Sequence, residues 1–116
     1  LRGEPLPLHG DGQQTRSFCY VSDTVRGLIA LMDNEQTVGP INLGNPQEVS
    51  MRTLAQEVLR LCGGSATVRQ MPPRPEDPRC RRPDIGQANR LLGWRPRVSL
   101  EQGLRWTIDW FREQIG

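Results

Sequence analysis

The sequence predicts an α/β fold in which mixed short strands alternate with about four helices along 116 residues. Three observations lead there. The hydrophobic pattern switches several times between strand-like alternation and a 3.6-residue period. Ser or Asp stands at the start of several helical patterns, and glycine follows two of them. The strands are too few and too short to make a complete sheet, so residues 1–116 read as one incomplete α/β portion of a larger fold.

Pro5 to His9 is short, apolar and punctuated by proline, which predicts an extended segment. Gly10-Asp11-Gly12 is a turn. Thr15 to Val21 carries the aromatic and β-branched residues of a strand. A helix is expected over Asp23 to Met32, with Val25, Leu28, Ile29 and Met32 on one face and Ser22 or Asp23 as N-cap. Pro40 to Leu43 predicts a second strand, closed by Gly44-Asn45-Pro46. Ser50 caps the clearest helix, whose face is Met51, Leu54, Ala55, Val58, Leu59 and Cys62 and whose stop is Gly63-Gly64. Ala66 to Met71 is a further strand. Pro72 to Pro83 holds too many prolines to be anything but a loop. Asp84 with Gln87 has the spacing of a capping box for a short helix ending near Leu92-Gly93, and Ser99 with Gln102 repeats it for a last helix striped by Leu100, Leu104, Ile108, Phe111 and Ile115.

Composition narrows the function. The hydrophobic fraction is 35%, with 12 Gly and 10 Pro, so the core is expected to be thin and rich in loops. All 15 basic residues are arginine, set against 13 acids for a net charge of +2. That balance lacks the basic stripe of a nucleic-acid binder and points to local recognition of anions, where the planar guanidinium excels. Cys19, Cys62 and Cys80 are far apart and His9 is the single histidine, so no metal site is predicted. The cysteine usage fits a reducing cytoplasm. No apolar run approaches the ~18 residues of a membrane span, and the first residues lack the apolar stretch of a signal peptide.

A catalytic set is not evident. Gly10-Asp11-Gly12 is not followed by a third glycine and a helix, so it is no dinucleotide fingerprint. There is no lysine to join the one tyrosine, Tyr20, and no GxSxG motif.

Four ordered motifs carry a resemblance. Pro5 to His9 followed by Gly10-Asp11-Gly12-Gln13-Gln14-Thr15-Arg16-Ser17-Phe18-Cys19-Tyr20-Val21-Ser22-Asp23 is the first. Pro40-Ile41-Asn42-Leu43-Gly44-Asn45-Pro46 is the second, and Asp77-Pro78-Arg79-Cys80-Arg81-Arg82-Pro83-Asp84-Ile85 the third. The fourth is Leu92-Gly93-Trp94-Arg95-Pro96 with Leu100-Glu101-Gln102-Gly103-Leu104. Together they resemble the C-terminal, substrate-binding portion of extended short-chain dehydrogenases that act on nucleotide sugars, nearest to the UDP-glucuronate decarboxylase branch. Dehydratases and 4-epimerases share parts of the pattern, and a stand-alone sugar-nucleotide-binding module is a further alternative.

The resemblance implies a UDP-sugar substrate, and NAD bound by an N-terminal Rossmann domain that this chain lacks. It also implies a Tyr/Lys pair upstream of Leu1, a homodimeric cytoplasmic protein, and no nucleic-acid or membrane partner. The reaction implied is oxidation at the sugar C4, loss of carbon dioxide and reduction to UDP-xylose, with no catalysis by this chain alone. The substrate-binding residues implied are Pro7, Leu8 and His9, whose main-chain groups would run along the uracil, Arg16 on the diphosphate, and Arg81 on the carboxylate or phosphate. His9 stands where the family usually has Tyr. The competing readings are an ordinary edge strand for 6–9, a salt bridge to an acid such as Asp23 for Arg16, and a solvated loop for Arg81, with Arg79 and Arg82 facing water. Tyr20 and the three tryptophans are expected to pack.

Overall fold

In the computed structural model the described residues are 1–35, 40–63, 66–76, 78–79 and 82–115. The elements in order are β1 (Leu6–His9), β2 (Thr15–Ser17), α1 (Val21–Asp33), β3 (Glu48–Ser50), α2 (Met51–Cys62), β4 (Val68–Met71), α3 (Gly86–Leu92) and α4 (Leu100–Ile115). Four helices and short strands are therefore present, as expected. The chain divides into two compact units, one of residues 1–16, 49–81 and 101–116, the other of residues 17–48 and 82–100.

In the first unit β1 and β4 pair in parallel, with Leu6 opposite Val68 and His9 opposite Met71. A parallel pair needs a long crossover, and α2 lies within it and packs against β1. Ser50 starts α2 as predicted, its Oγ accepting the Thr53 N–H at 3.1 Å, and Gly63 ends it at φ 68°. The predicted stop residue Gly64 lies outside the described residues. A cluster of exposed ion pairs joins α2 to α4, in which Arg60 meets Glu57 at 2.6 Å and Glu101 at 3.0 Å, and Arg105 meets Glu101 at 3.1 Å. Leu8 and Ile108 are its buried apolar side chains among those described.

In the second unit the centre is Trp94, 1% exposed, whose Nε1 donates to the Asp23 carbonyl at 2.9 Å. Asp23 corrects the expectation of an N-cap. The cap of α1 is Tyr20, in extended backbone with no side-chain capping bond, and Asp23 sits inside the first turn, 2% exposed. Its Oδ2 accepts the Arg97 and Val98 amides at 3.0 and 2.9 Å, and its Oδ1 meets Arg26 at 3.0 Å. Burial pushes the carboxyl pKa up. Hydrogen bonds from Val98, Arg26 and Arg97, with the charge of Arg26, more than offset that and hold it below its ordinary value. The strand over Thr15 to Val21 is cut to Thr15–Ser17, because the Tyr20 carbonyl already accepts the Asp23 and Thr24 amides of the helix.

Four more expectations change. Pro40 to Leu43 forms no strand, since neither two-stranded sheet includes it, and Leu43 instead packs beside Gly27 of α1. Asp84 accepts the Gly86 N–H at 2.9 Å, a turn before α3 in place of a capping box with Gln87. The apolar stripe of α1 does not enter a core: Val25, Leu28 and Ile29 are about half exposed and Met32 is 83% exposed. Trp106 and Trp110 are likewise exposed, whereas Trp94 packs as expected.

Candidate substrate groove

The first unit carries an open groove of about 870 Å³ at the C-terminal ends of β1 and β4. Its lining joins the turn after β1 to the proline-rich segment after β4. His9, Asp11 and Gln14 come from one side, and Gln70, Arg74 and Arg79 from the other. Ligands in parallel α/β sheets commonly sit beyond the carboxyl ends of the strands.

Strand geometry decides what β1 can offer. The Leu6 and Gly10 amides donate to the Thr67 and Met71 carbonyls at 2.8 and 2.9 Å, so the even-numbered residues turn their main chain to β4. Pro7 and His9 therefore present theirs on the opposite edge. Pro7 has no N–H to give, and the His9 carbonyl accepts the Gln14 side-chain amide at 3.0 Å. Leu8 is 4% exposed and its side chain lies under Gly12, where an added Cβ would stand 2.8 Å from it. Gly12 also has φ 75°, so glycine is demanded there twice over.

The turn and the loop are laced together. Asp11 Oδ1 accepts the Gln13 N–H at 2.9 Å, and Arg79 reaches both carboxylate oxygens at 3.2 and 3.4 Å. The Gln13 amide first, then the Arg79 guanidinium, hold the Asp11 carboxyl below its ordinary pKa. Arg52 of α2 donates from Nε and Nη2 to the Asp11 carbonyl, both at 3.2 Å. The Thr15 amide donates to the Arg79 carbonyl at 2.7 Å, which ties the loop to β2 one residue before Arg16. Arg79 is exposed, as expected, yet anchored at both its main chain and its side chain.

Of the residues predicted for substrate, His9 lines the groove. Pro7 lies on the outer edge of β1 and Leu8 beneath the turn. Arg16 is half-buried in β2, with Nη1 turned to the Thr15 carbonyl. Arg81, with Asp77 and Cys80 of the same motif, lies outside the described residues. Asp11, Gln14, Arg74 and Arg79 were not singled out as ligands by sequence. For Arg74 and Arg79 the one signal was a run of arginines in a loop unable to form a helix. Among the described residues no group of three or more His, Cys, Asp or Glu is placed to hold a metal.

The family model for GDP-mannose 4,6 dehydratase matches residues 2–107. The chain belongs to that family. UDP-glucuronic acid decarboxylase 6 of Arabidopsis thaliana is 48% identical over 116 residues, which are all of this chain and 34% of that protein. The UDP-glucose 4-epimerase of Thermotoga maritima, solved with UDP-glucose, superposes with a TM-score of 0.91 at 33% identity, covering 99% of this chain and 37% of that one. The UDP-glucuronic acid 4-epimerase of Bacillus cereus, in complex with UDP-glucuronic acid and NAD, gives a TM-score of 0.86 at 32% identity, covering 95% and 36%. The chain thus spans about a third of the length of these family members. Among the described residues no helix is long and apolar enough to cross a membrane.

Proposed function

We propose that residues 1–116 are the substrate-binding portion of a longer, NAD-dependent UDP-glucuronate decarboxylase that forms UDP-xylose. The observation that carries the reading is the 48% identity to a UDP-glucuronic acid decarboxylase across the entire chain. The groove adds chemical support, since arginines and amides line it and suit a ligand with a diphosphate and a sugar.

In this reading the outer edge of β1, at Pro7 and His9, runs along the uracil beside buried Leu8. Arg16 neutralises the diphosphate, and Arg81 holds the sugar carboxylate or a phosphate oxygen. The lacing of Asp11 to Arg79 keeps the proline-rich segment beside β2, so binding does not have to order the whole loop.

The residues present do not fit NAD. Three strands are followed by helices here: the junctions of β2 with α1 and of β3 with α2 contain no glycine, and β4 reaches α3 only through the long proline-rich segment, with Gly86 alone at the helix start. NAD is therefore assigned to the rest of the longer protein. That protein is read as a cytoplasmic homodimer.

The test is product analysis of the full-length protein supplied with UDP-glucuronate. UDP-xylose and carbon dioxide are expected. UDP-galacturonate as the product would move the chain to a 4-epimerase, the reaction named for the Bacillus cereus neighbour.

A further inference from the structure

His9 has both ring nitrogens engaged, and its partners dictate their roles. Nδ1 lies 3.3 Å from the Pro72 carbonyl, which can only accept, so Nδ1 is assigned the proton. Nε2 lies 3.2 Å from Nη2 of Arg74, which can only donate, so Nε2 is the lone pair. The pair of contacts thus selects neutral imidazole with its proton on Nδ1. In this state Arg74 is parked on a neutral acceptor at the wall of the groove.

Protonation undoes the parking. Imidazole changes charge between pH 5 and 8. Imidazolium carries N–H on both nitrogens, has no lone pair for Arg74, and repels it. The same event adds a positive charge to the groove and frees the guanidinium for another acceptor.

Among the described residues, those lining the groove around His9 leave that acceptor to a ligand, and exposed Glu76 of the same loop is not one of them. Asp11, the one acid lining the groove among the described residues, is tied to Arg79, and Arg52 is turned to the Asp11 carbonyl. The nearby Gln14 and Gln70 amides already donate to the His9 and Gly10 carbonyls.

We propose that His9 and Arg74 form a proton-linked anion clamp, in which protonation of His9 releases Arg74 and both close on a phosphate-bearing ligand. Under the function proposed above, on which the clamp rests, the anion is the diphosphate bridge of the nucleotide sugar. Affinity for that ligand then rises as pH falls through the imidazole range. The sign follows because the protonated form has two cations to offer, where the neutral form offers one cation already engaged.

The experiment is calorimetric titration of the full-length protein with UDP-glucose between pH 8.0 and 5.5. UDP-glucose is chosen because its diphosphate is esterified at both ends and holds its charge over this range, whereas a terminal phosphate titrates near pH 6. A charge-assisted hydrogen bond that forms only on protonation predicts affinity about tenfold higher at the acid end. His9→Gln keeps a donor and an acceptor on one side chain but cannot protonate, and its affinity is expected to be flat with pH. Arg74→Gln keeps the imidazolium and is expected to lose part of the acid enhancement. Binding by the wild type with no pH dependence, or an acid enhancement that survives His9→Gln, overturns the clamp and leaves the proposed function standing. Absence of UDP-glucose binding at every pH overturns both.

Discussion

Asp23 shows how a residue's type can be legible while its work is not. An Asp before a helical pattern reads as a cap, and caps act locally. Here the carboxylate instead gathers Arg26 and the amides of Arg97 and Val98, more than 70 residues away in sequence, a partnership that no local pattern encodes. Asp23→Ala strands those donors, and a loss of about 1–3 kcal/mol is expected in urea unfolding of the full-length protein. Because the folded carboxyl has a lowered pKa, its contribution is present above the ordinary carboxylate value and fades as pH falls through the folded one. Asp23→Asn should therefore remove part of the acid destabilisation seen in the wild type; an unchanged acid limb would refute the role. The diphosphate contact proposed for Arg16 rests on the motif and on the rule that a half-buried guanidinium, as in β2, is costly unless paired. Arg16→Ala is expected to weaken UDP binding by about tenfold to a hundredfold, read by calorimetry, as loss of a charge-assisted bond requires.

Elements were more legible than residues wherever a local device sets a boundary. Ser50 and Gly63 bracket α2 as read, because a hydroxyl on an amide and a left-handed glycine act within one turn. Pro40 to Leu43 was misread because a strand exists only through its partner, and propensity does not say whether one is present. Close approach was equally hidden. Gly27 lies in α1, where alanine would ordinarily add about 1 kcal/mol of helix propensity. A Cβ there would stand 2.8 Å from Leu43 Cδ1 and 3.0 Å from Trp94 Nε1. The tryptophan is fixed by its bond to the Asp23 carbonyl and cannot easily move. Gly27→Ala is expected to destabilise by about 1–3 kcal/mol; a rise in melting temperature would show that the Leu43 side chain yields freely.

At the scale of the molecule, the thin core read from composition is what the fold contains. Leu8, Ala88, Trp94 and Ile108 are its buried apolar side chains among the described residues, while the stripe of α1 and two tryptophans of α4 remain exposed. Under the function proposed above, the groove binds the nucleotide sugar and the chemistry is supplied by the rest of the protein. General acid–base work on a sugar hydroxyl needs a titratable group poised near neutrality. The chain offers no lysine, and its one tyrosine, Tyr20, lies in the second unit at the start of α1, outside the lining of the groove. The one histidine, His9, has both ring nitrogens engaged, by Pro72 and by Arg74. The purified 116-residue chain, given NAD and UDP-glucuronate, is therefore expected to yield no UDP-xylose above a no-protein control in mass spectrometry, while the full-length protein yields it under the same conditions. The His9→Gln chain serves as the internal check. If the wild-type chain did make UDP-xylose and His9→Gln abolished it, the histidine would be the acid–base group, and the division of labour proposed for this protein would be wrong.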